Sequence, residues 1–313
     1  MKYINEIREG EQVIEHYLCK SRQTFKSKND KNYLSLKLAD KTGTVDAKVW
    51  NLGNDIQSFA ENDMIKIDAT AQIFNNDIQL NVKRIRKSRE GEYDPADYIP
   101  STEKDIKQMW GEFTGYIETF KNPYIKELLD KIILKNGFVS KEFPIHSAAK
   151  SVHHGYLGGL LEHSLSVTKI CDFMADKYKF VDRDVLVASA MLHDVGKLWE
   201  LSDFPLNDYT DDGQLLGHIY IGAELVEKTA STIDGFPDRL KTIIKHCILS
   251  HHGEYEYGSP VLPKTIEAHI LHCADDMDAK SKVFEEFISA DSTSGPWAGY
   301  QKMLGRNIRK SEY

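Results

Sequence analysis

The 313-residue sequence lacks any uninterrupted apolar run near the roughly 20 residues needed to span a bilayer. Its first residues, MKYINEIREGEQ, lack the apolar core of a secretory signal. A soluble, cytoplasmic protein with no membrane partner is expected. Cysteine is scarce: Cys19, Cys171, Cys247 and Cys273 are scattered, with no paired spacing of the kind that binds zinc or runs redox chemistry. They are expected to be reduced thiols. Long low-complexity tracts are missing too, and 41% apolar with 28% charged residues excludes a disordered chain.

An excess of positive charge is absent: the formal net charge is −8, which taken alone argues against a polyanionic partner. Position matters more than the sum. Residues 1–90 carry 16 Lys and Arg against 13 Asp and Glu, or +3, leaving 24 against 35, or −11, for the rest. The chain is long enough for two cores, and its two parts differ in charge.

Period-two alternation marks the first part as strands: the region of QVIEHYLCKSRQTF, then NYLSLKLAD, TVDAKVW, DMIKIDATAQIF and IQLNVKRIR. Leu34, Leu36 and Leu38 share one face, DKTG turns at Gly43, and Val45, Ala47 and Val49 follow as the return strand of a hairpin. A short helix over Asn54–Ala60 is expected between the third and fourth strands. Five strands with one inserted helix suggest a small Greek-key barrel. Lys20, Arg22, Lys26, Lys28 and Lys31 crowd the first hairpin, with Phe25, Tyr33, Trp50 and Phe74 interspersed. Cations attract phosphates and aromatic faces stack bases, so this cluster reads as a single-strand platform. The stretch LSLKLADKTGTVDAKVW with DMIKIDATAQIFNNDIQLNVKRI resembles the OB-fold nucleic-acid-binding domains.

Residues 91–103, within the Pro-containing stretch KSREGEYDPADYIPSTE, read as a linker. From 104 to 290 the pattern is helical. Ser101 or Thr102 is the expected first cap, NPYIKELLDKIILKNGF should end at Gly137, and residues 157–178 form another helix. Residues 291–313 show no clear period; Trp297 and Tyr300 are expected to pack back on the bundle, while Arg306 and Arg309 are candidates for RNA contact.

The helical part offers His163, His193 with Asp194, His218, His251 with His252, and Asp275, at separations of 30, 25, 33 and 24 residues. Such gaps are too long for one helix face but suit ligands from successive helices of a bundle. Histidine with carboxylate favours Mn, Fe, Co, Ni or Zn. His252 is an alternate to His251, and Asp276 to Asp275, because neighbours at a helix end cannot be ordered from sequence. Lys197 is placed to reach a phosphate oxygen as a point charge. His153 and His154, in the glycine-rich stretch SVHHGYLGGLLEH, are candidates for phosphate contact. His246, His269 and His272 are expected to pack or to support the ligands.

The ordered pattern resembles the HD-domain metal-dependent phosphohydrolases, in LLEHSLSV, LHDVGK, GHIYIGAEL, LSHHG and CADDMDAK. That resemblance implies one metal on His163, His193, Asp194 and Asp275, and a second on His218 and His251, with Asp194 bridging. The expected fold class is therefore multidomain α and β: a five-stranded OB-like barrel, then an all-α HD bundle. This combination resembles the YhaM type of bacterial 3′-to-5′ exoribonuclease, also in HHGYLGGLLEHSLSV and GPWAGYQKMLGRNI. It implies Mn- or Co-supported removal of nucleotides from single-stranded RNA, and also from single-stranded DNA, by a self-associating protein. Without the resemblance, the residues alone leave open a nucleotide phosphohydrolase or a non-catalytic single-strand-binding protein.

Overall fold

In the computed structural model the described residues are 1–27, 30–75, 77–98, 101–150, 155–203, 207–291 and 293–311. Five strands open the chain: β1 (Gln12–Lys26), β2 (Asn32–Asp40), β3 (Gly43–Val49), β4 (Met64–Phe74) and β5 (Asp77–Lys87). They close a barrel in the order β1-β2-β3-β5-β4, with β1 also pairing β4 and only β3 and β5 running parallel. That is the OB-type Greek key. β1 serves two neighbours because its register shifts between Cys19 and Ser21, where the extra residue Lys20 bends the strand.

The alternation that predicted the strands also fills the barrel. Leu34, Leu36, Leu38, Val45, Ala47 and Val49 are all buried, with Ile65, Ile67, Leu80 and Ile85 opposite. Between β3 and β4 the expected helix does not form. Ile56 instead makes a parallel bridge to Ile85, and Gln57 N–H donates to the Ile85 carbonyl. Hydrogen bonds to the end of β5 outweigh a helical spacing of only two apolar residues, Ile56 and Phe59.

Residues 1–101 form one compact unit, and 102–202 with 207–313 the other. Part of the stretch expected as linker packs on the barrel. Tyr98 is buried with Leu18, Ala39 and Met64, and Lys41 N–H donates to the Asp97 carbonyl.

The second unit contains α1 (Ile106–Gly115), α2 (Pro123–Leu129), α3 (Gly137–Glu142), α4 (Gly159–Ala175), α5 (Arg183–Leu192), α6 (Lys197–Glu200), α7 (Asp211–Ala230), α8 (Asp238–Ser250) and α9 (Ile266–Ser289). Two boundaries depart from expectation. Asp105, not Ser101 or Thr102, caps α1 by accepting from Gln108 N–H. Gly137 begins a helix instead of ending one, because the Asn136 side chain accepts from Phe138 and Val139 N–H, while α2 runs on through a π turn at Asp130–Leu134.

α5 is buried at every position from Asp184 to Leu192, which its small and apolar sequence VLVASAML permits, and it forms the centre of the bundle. Glu162 in α4 is a buried carboxylate. It accepts from Thr102 Oγ1 and Tyr156 OH at 2.6 and 3.0 Å and pairs with Lys104 and Lys282. After α9 a hairpin of β6 (Trp297–Gln301) and β7 (Arg306–Arg309) buries Ile308, whereas Trp297 and Tyr300 are 54% and 61% exposed. They do not pack back, because strand alternation turns Ile308 inward and leaves the two rings outside. Among the described residues no helix is long and apolar enough to cross a membrane.

Burial alone would raise the Glu162 pKa, but Thr102, Lys104 and Lys282 outweigh it and hold it at about 2. A depressed folded pKa contributes stability above the ordinary value of 4.5 that is lost as pH falls toward 2. Glu162→Gln is therefore expected to lose on the order of 3 kcal/mol at pH 7. The difference from the parent in urea unfolding should shrink between pH 4.5 and 2; a constant difference would refute the argument.

Candidate functional site

Helix ends deliver most of the site. His193 follows the last residue of α5, and His251 follows the last residue of α8. Each donates Nδ1–H to the carbonyl three residues earlier, His193 to Ala190 at 2.8 Å and His251 to Ile248 at 2.7 Å. A carbonyl can only accept, so the proton sits on Nδ1 and the Nε2 lone pair faces inward. His218 is placed by a break in α7 at Gly217, whose φ of 72° suits glycine. There Glu200 Oε1 accepts both the His218 backbone N–H and its Nδ1–H, at 3.0 and 2.9 Å. His252 Nδ1 meets the Tyr257 carbonyl at 2.7 Å. His163 lies in the first turns of α4, while Asp275 comes from the middle of α9, not from a helix end.

These atoms gather as two groups, His163 with His193 and Asp275, and His218 with His251 and His252, each with its ligand atoms within 4.8 Å of one another. Asp194 stands between them. Its Oδ2 is 3.5 Å from His163 Nε2 and 3.4 Å from His193 Nε2, whereas Oδ1 is 3.5 Å from His218 Nε2 and 3.8 Å from His251 Nε2. Asp275 Oδ1 is 3.1 Å from His163 Nε2. Ligands about 2.2 Å from one cation stand about 3.1 Å apart at right angles and about 3.6 Å apart at the tetrahedral angle. Four of the five spacings fit that range, and the 3.8 Å to His251 lies just beyond it. Asp194 Oδ1, His218 Nε2 and His251 Nε2 are moreover buried without a hydrogen-bond partner. Buried acceptors left unpaired are costly, and a divalent cation would satisfy all three together.

The electrostatics agree with an anion held among bases. Burial would raise the Asp194 pKa, but Lys197, 2.7 Å from Oδ2, and His193 keep it well below the usual carboxylate range. Asp275 is likewise lowered, burial being outweighed by its bond to His163. Burial would lower His163, yet Asp275 and Asp278 push it up to about 10. His251 goes the other way, since burial and the neighbouring His252 hold it well below the ordinary imidazole value and so neutral. A neutral imidazole is the form that binds metal.

A cavity of about 340 Å³ opens onto His163, Asp194, Lys197, His252, Tyr257 and Asp275. Of the alternates, His252 joins His251, and Asp276 lines the same cavity while pairing with Lys280 at 2.8 Å. His153 and His154 lie outside the described residues. His246 is a support of loop structure, its Nε2 accepting from Lys264 N–H.

In the barrel, Phe25 and Tyr33 are opposite one another on β1 and β2, their ring centroids 5.9 Å apart, and Trp50 lies 4.6 Å beyond Tyr33. Lys48 Nζ is 5.8 Å from the Tyr33 centroid. Phe25 and Trp50 are each 44% exposed. Lys20 is exposed at the β1 bulge, Arg22 lies over Phe59 and Lys26 pairs with Asp30. Lys28 lies outside the described residues. Phe74 does not join the row: Asp46 pairs with Gln79, so the β4–β5 turn lies beside the start of β3, whereas Trp50 follows its end.

Sequence reasoning missed Asp278 and Glu200. Asp278 Oδ2 meets His163 Nδ1 at 2.7 Å, and its Oδ1 accepts from Ser166. The signal was its place three residues after Asp275, on the same helix face. Glu200 had none beyond ending LHDVGKLWE.

Comparison with known proteins places an HD domain at residues 160–280. The chain is 35% identical to the 3′-5′ exoribonuclease YhaM of Bacillus velezensis over 87% of its own length and 86% of that protein. It is 34% identical to YhaM of Bacillus subtilis over 88% and 87%. Among solved structures, the second OB-fold domain of replication protein A from Methanococcus maripaludis matches 29% of this chain and 98% of that one, at 16% identity and a TM-score of 0.24. So low a score supports no argument, and the strand order stands alone.

Gly196 serves close packing: a Cβ there would stand 2.1 Å from the His218 carbonyl oxygen. Its φ of −63° is ordinary, so local propensity alone would favour alanine. Gly196→Ala is instead expected to cost about 3 kcal/mol by displacing the His218 segment. A melting temperature equal to or above the parent's would overturn this.

Proposed function

The chain belongs to the YhaM family of 3′-5′ exoribonucleases, and from that premise we propose that it is a metal-dependent hydrolase that removes nucleotides stepwise from the 3′ end of single-stranded RNA. The observation that carries the reading is Asp194, whose two oxygens divide two groups of inward-facing histidines. Its ligands would be His163, His193, Asp194 and Asp275 for one ion, and His218, His251 and His252 with Asp194 for a second. Two manganese ions are the proposed complement, since mixed imidazole and carboxylate donors suit borderline divalent ions. When bound, such a pair acidifies water for attack and neutralises phosphate oxygens.

The remaining chemistry belongs to the chain. Asp194 would fix the separation of the two positions, and the Nδ1 bonds fix each ring plane and aim its Nε2 inward. Lys197 lines the cavity beside Asp194 and supplies a point charge for a phosphate oxygen. At about 340 Å³ the cavity lies at the small end of ligand pockets (~300–1,000 Å³), which suits a terminal nucleotide better than a duplex. The Phe25–Tyr33–Trp50 row would stack successive bases, with Lys20, Arg22 and Lys26 toward the backbone, and this platform accepts single-stranded DNA as well. Tethering it to the phosphoesterase raises the local concentration of substrate. The four free cysteines suit a reducing cytoplasm, and self-association accompanies the family reading.

Incubation of 5′-labelled and 3′-labelled single strands with Mn tests catalysis, substrate and direction together. A ladder from the 5′ label with immediate mononucleotide from the 3′ label is expected. Hydrolysis of free nucleotides with the oligomer untouched would favour a nucleotide phosphohydrolase. Asp194→Ala is expected to abolish turnover of RNA and of bis-p-nitrophenyl phosphate while leaving near-ultraviolet circular dichroism native; retained Mn-dependent turnover would refute the site.

Stacking is worth about 1–3 kcal/mol per base. Trp50→Ala should therefore weaken single-stranded RNA binding by about 5- to 150-fold, while Phe74→Ala, outside the row, should leave it within about twofold. Fluorescence anisotropy reads both, and equal effects would sink the platform.

A further inference from the structure

The five histidines are not held alike. His193, His251 and His252 place Nδ1 against the neutral backbone carbonyls of Ala190, Ile248 and Tyr257. His163 and His218 alone among them have carboxylates behind the ring, Asp278 Oδ2 at 2.7 Å and Glu200 Oε1 at 2.9 Å. One carboxylate-backed histidine falls in each group. Both carboxylates come from elements that already contribute to the site, Asp278 one turn beyond Asp275 on α9 and Glu200 at the end of the short helix that begins at Lys197.

Neither carboxylate is an incidental surface group. The Asp278 and Glu200 side chains are 13% and 12% exposed, and burying an anion costs free energy unless polar groups are aimed at it. Those groups are present: Ser166 Oγ donates to the second oxygen of Asp278, and the His218 backbone N–H donates to Glu200. Each carboxylate is thus held before it holds the imidazole. An anionic acceptor on Nδ1–H raises the electron density at Nε2 and fixes the ring plane, making a stronger ligand than a carbonyl-backed imidazole.

We infer that Asp278 and Glu200 are positioning residues, each setting the metal affinity of one group through one histidine, so that the two metal positions are tuned separately. Asp278 acts on the His163, His193 and Asp275 position, and Glu200 on the His218, His251 and His252 position. The inference rests on the two-metal reading above. Their independence follows from the layout: the only ligand common to both positions is Asp194, whereas Asp278 bonds His163 and Ser166 on one side and Glu200 bonds His218 on the other.

The test is manganese binding to the intact protein by equilibrium dialysis and calorimetry, without substrate. The parent should bind two ions. Asp278→Asn and Glu200→Gln should each weaken one ion by about 10- to 100-fold and leave the other within about twofold. The double variant should weaken both. Ser166→Ala, which keeps the carboxylate and removes only its anchor, should weaken the same ion as Asp278→Asn by a few-fold, and it serves should Asp278→Asn unfold. Asp278→Glu and Glu200→Asp should recover part of the lost affinity, which a purely structural role would not require. Two ions in the parent with unchanged binding in the variants, or equal weakening of both ions by each variant, would overturn the positioning roles. Fewer than two ions in the parent would instead overturn the two-metal reading on which they rest.

Discussion

A carboxylate 1% exposed in a helical core stays ionised only if positive charge is brought close to it, and Asp194, whose Oδ1 has no hydrogen-bond partner, is such a carboxylate. Lys197 reaches one oxygen from the next turn of chain, and imidazoles from α4, α5, α7 and α8 converge around the pair. This requirement explains features that look unrelated. α5 must be buried all round so that its end reaches the centre; Gly196 must lack a side chain so that the His218 segment can close in; and Gly217 must break α7 so that His218 points inward.

The delivery of histidines by helix ends has a simple physical basis. The last carbonyls of a helix have no intrahelical partner, and an imidazole just past the end can satisfy one with Nδ1–H. That bond also settles which nitrogen remains a lone pair. His193 and His251 use this device identically, so capping and ligand orientation are one act. His163 and Asp275 sit within helices, and His163 needs a carboxylate on α9 to do what the helix end does elsewhere.

Much of this was legible from residues alone. Alternating Leu34, Leu36 and Leu38 with Val45, Ala47 and Val49 defined the barrel, and the order of His163, His193, Asp194, His218, His251 and Asp275 identified residues that the bundle brings together. The errors have local causes. Ile56 and Phe59 mimic a helix turn, yet bridging to Ile85 decides that segment. Gly137 looks like a helix end until Asn136 is seen capping from the other side. Phe74 belongs to the same composition cluster as Trp50, but strand direction puts them at opposite ends of β3. Glu200 was hidden because a supporting carboxylate has no spacing rule of its own and only a ring in place reveals it; Asp278 offered no more than its place three residues after Asp275.

The charge division along the chain acquires a physical sense from the ligand set. An acidic unit repels a polyanion at long range, but its overall charge is screened beyond about 8–10 Å, whereas the cavity acts at contact. Around Asp194, five imidazole donors add no negative charge of their own, so the two groups hold only two carboxylates, Asp194 and Asp275, with Asp278 and Glu200 behind the rings. Two divalent cations would balance all four carboxylates, and Lys197 would leave the cavity net positive where a phosphate enters. A ligand set built from carboxylates alone would hold cations as firmly but hand the phosphate a negative wall. Using histidine for most donors would allow an acidic domain to present a cationic site, while the barrel, at +3, would need only modest charge where its Phe25, Tyr33 and Trp50 rings add stacking.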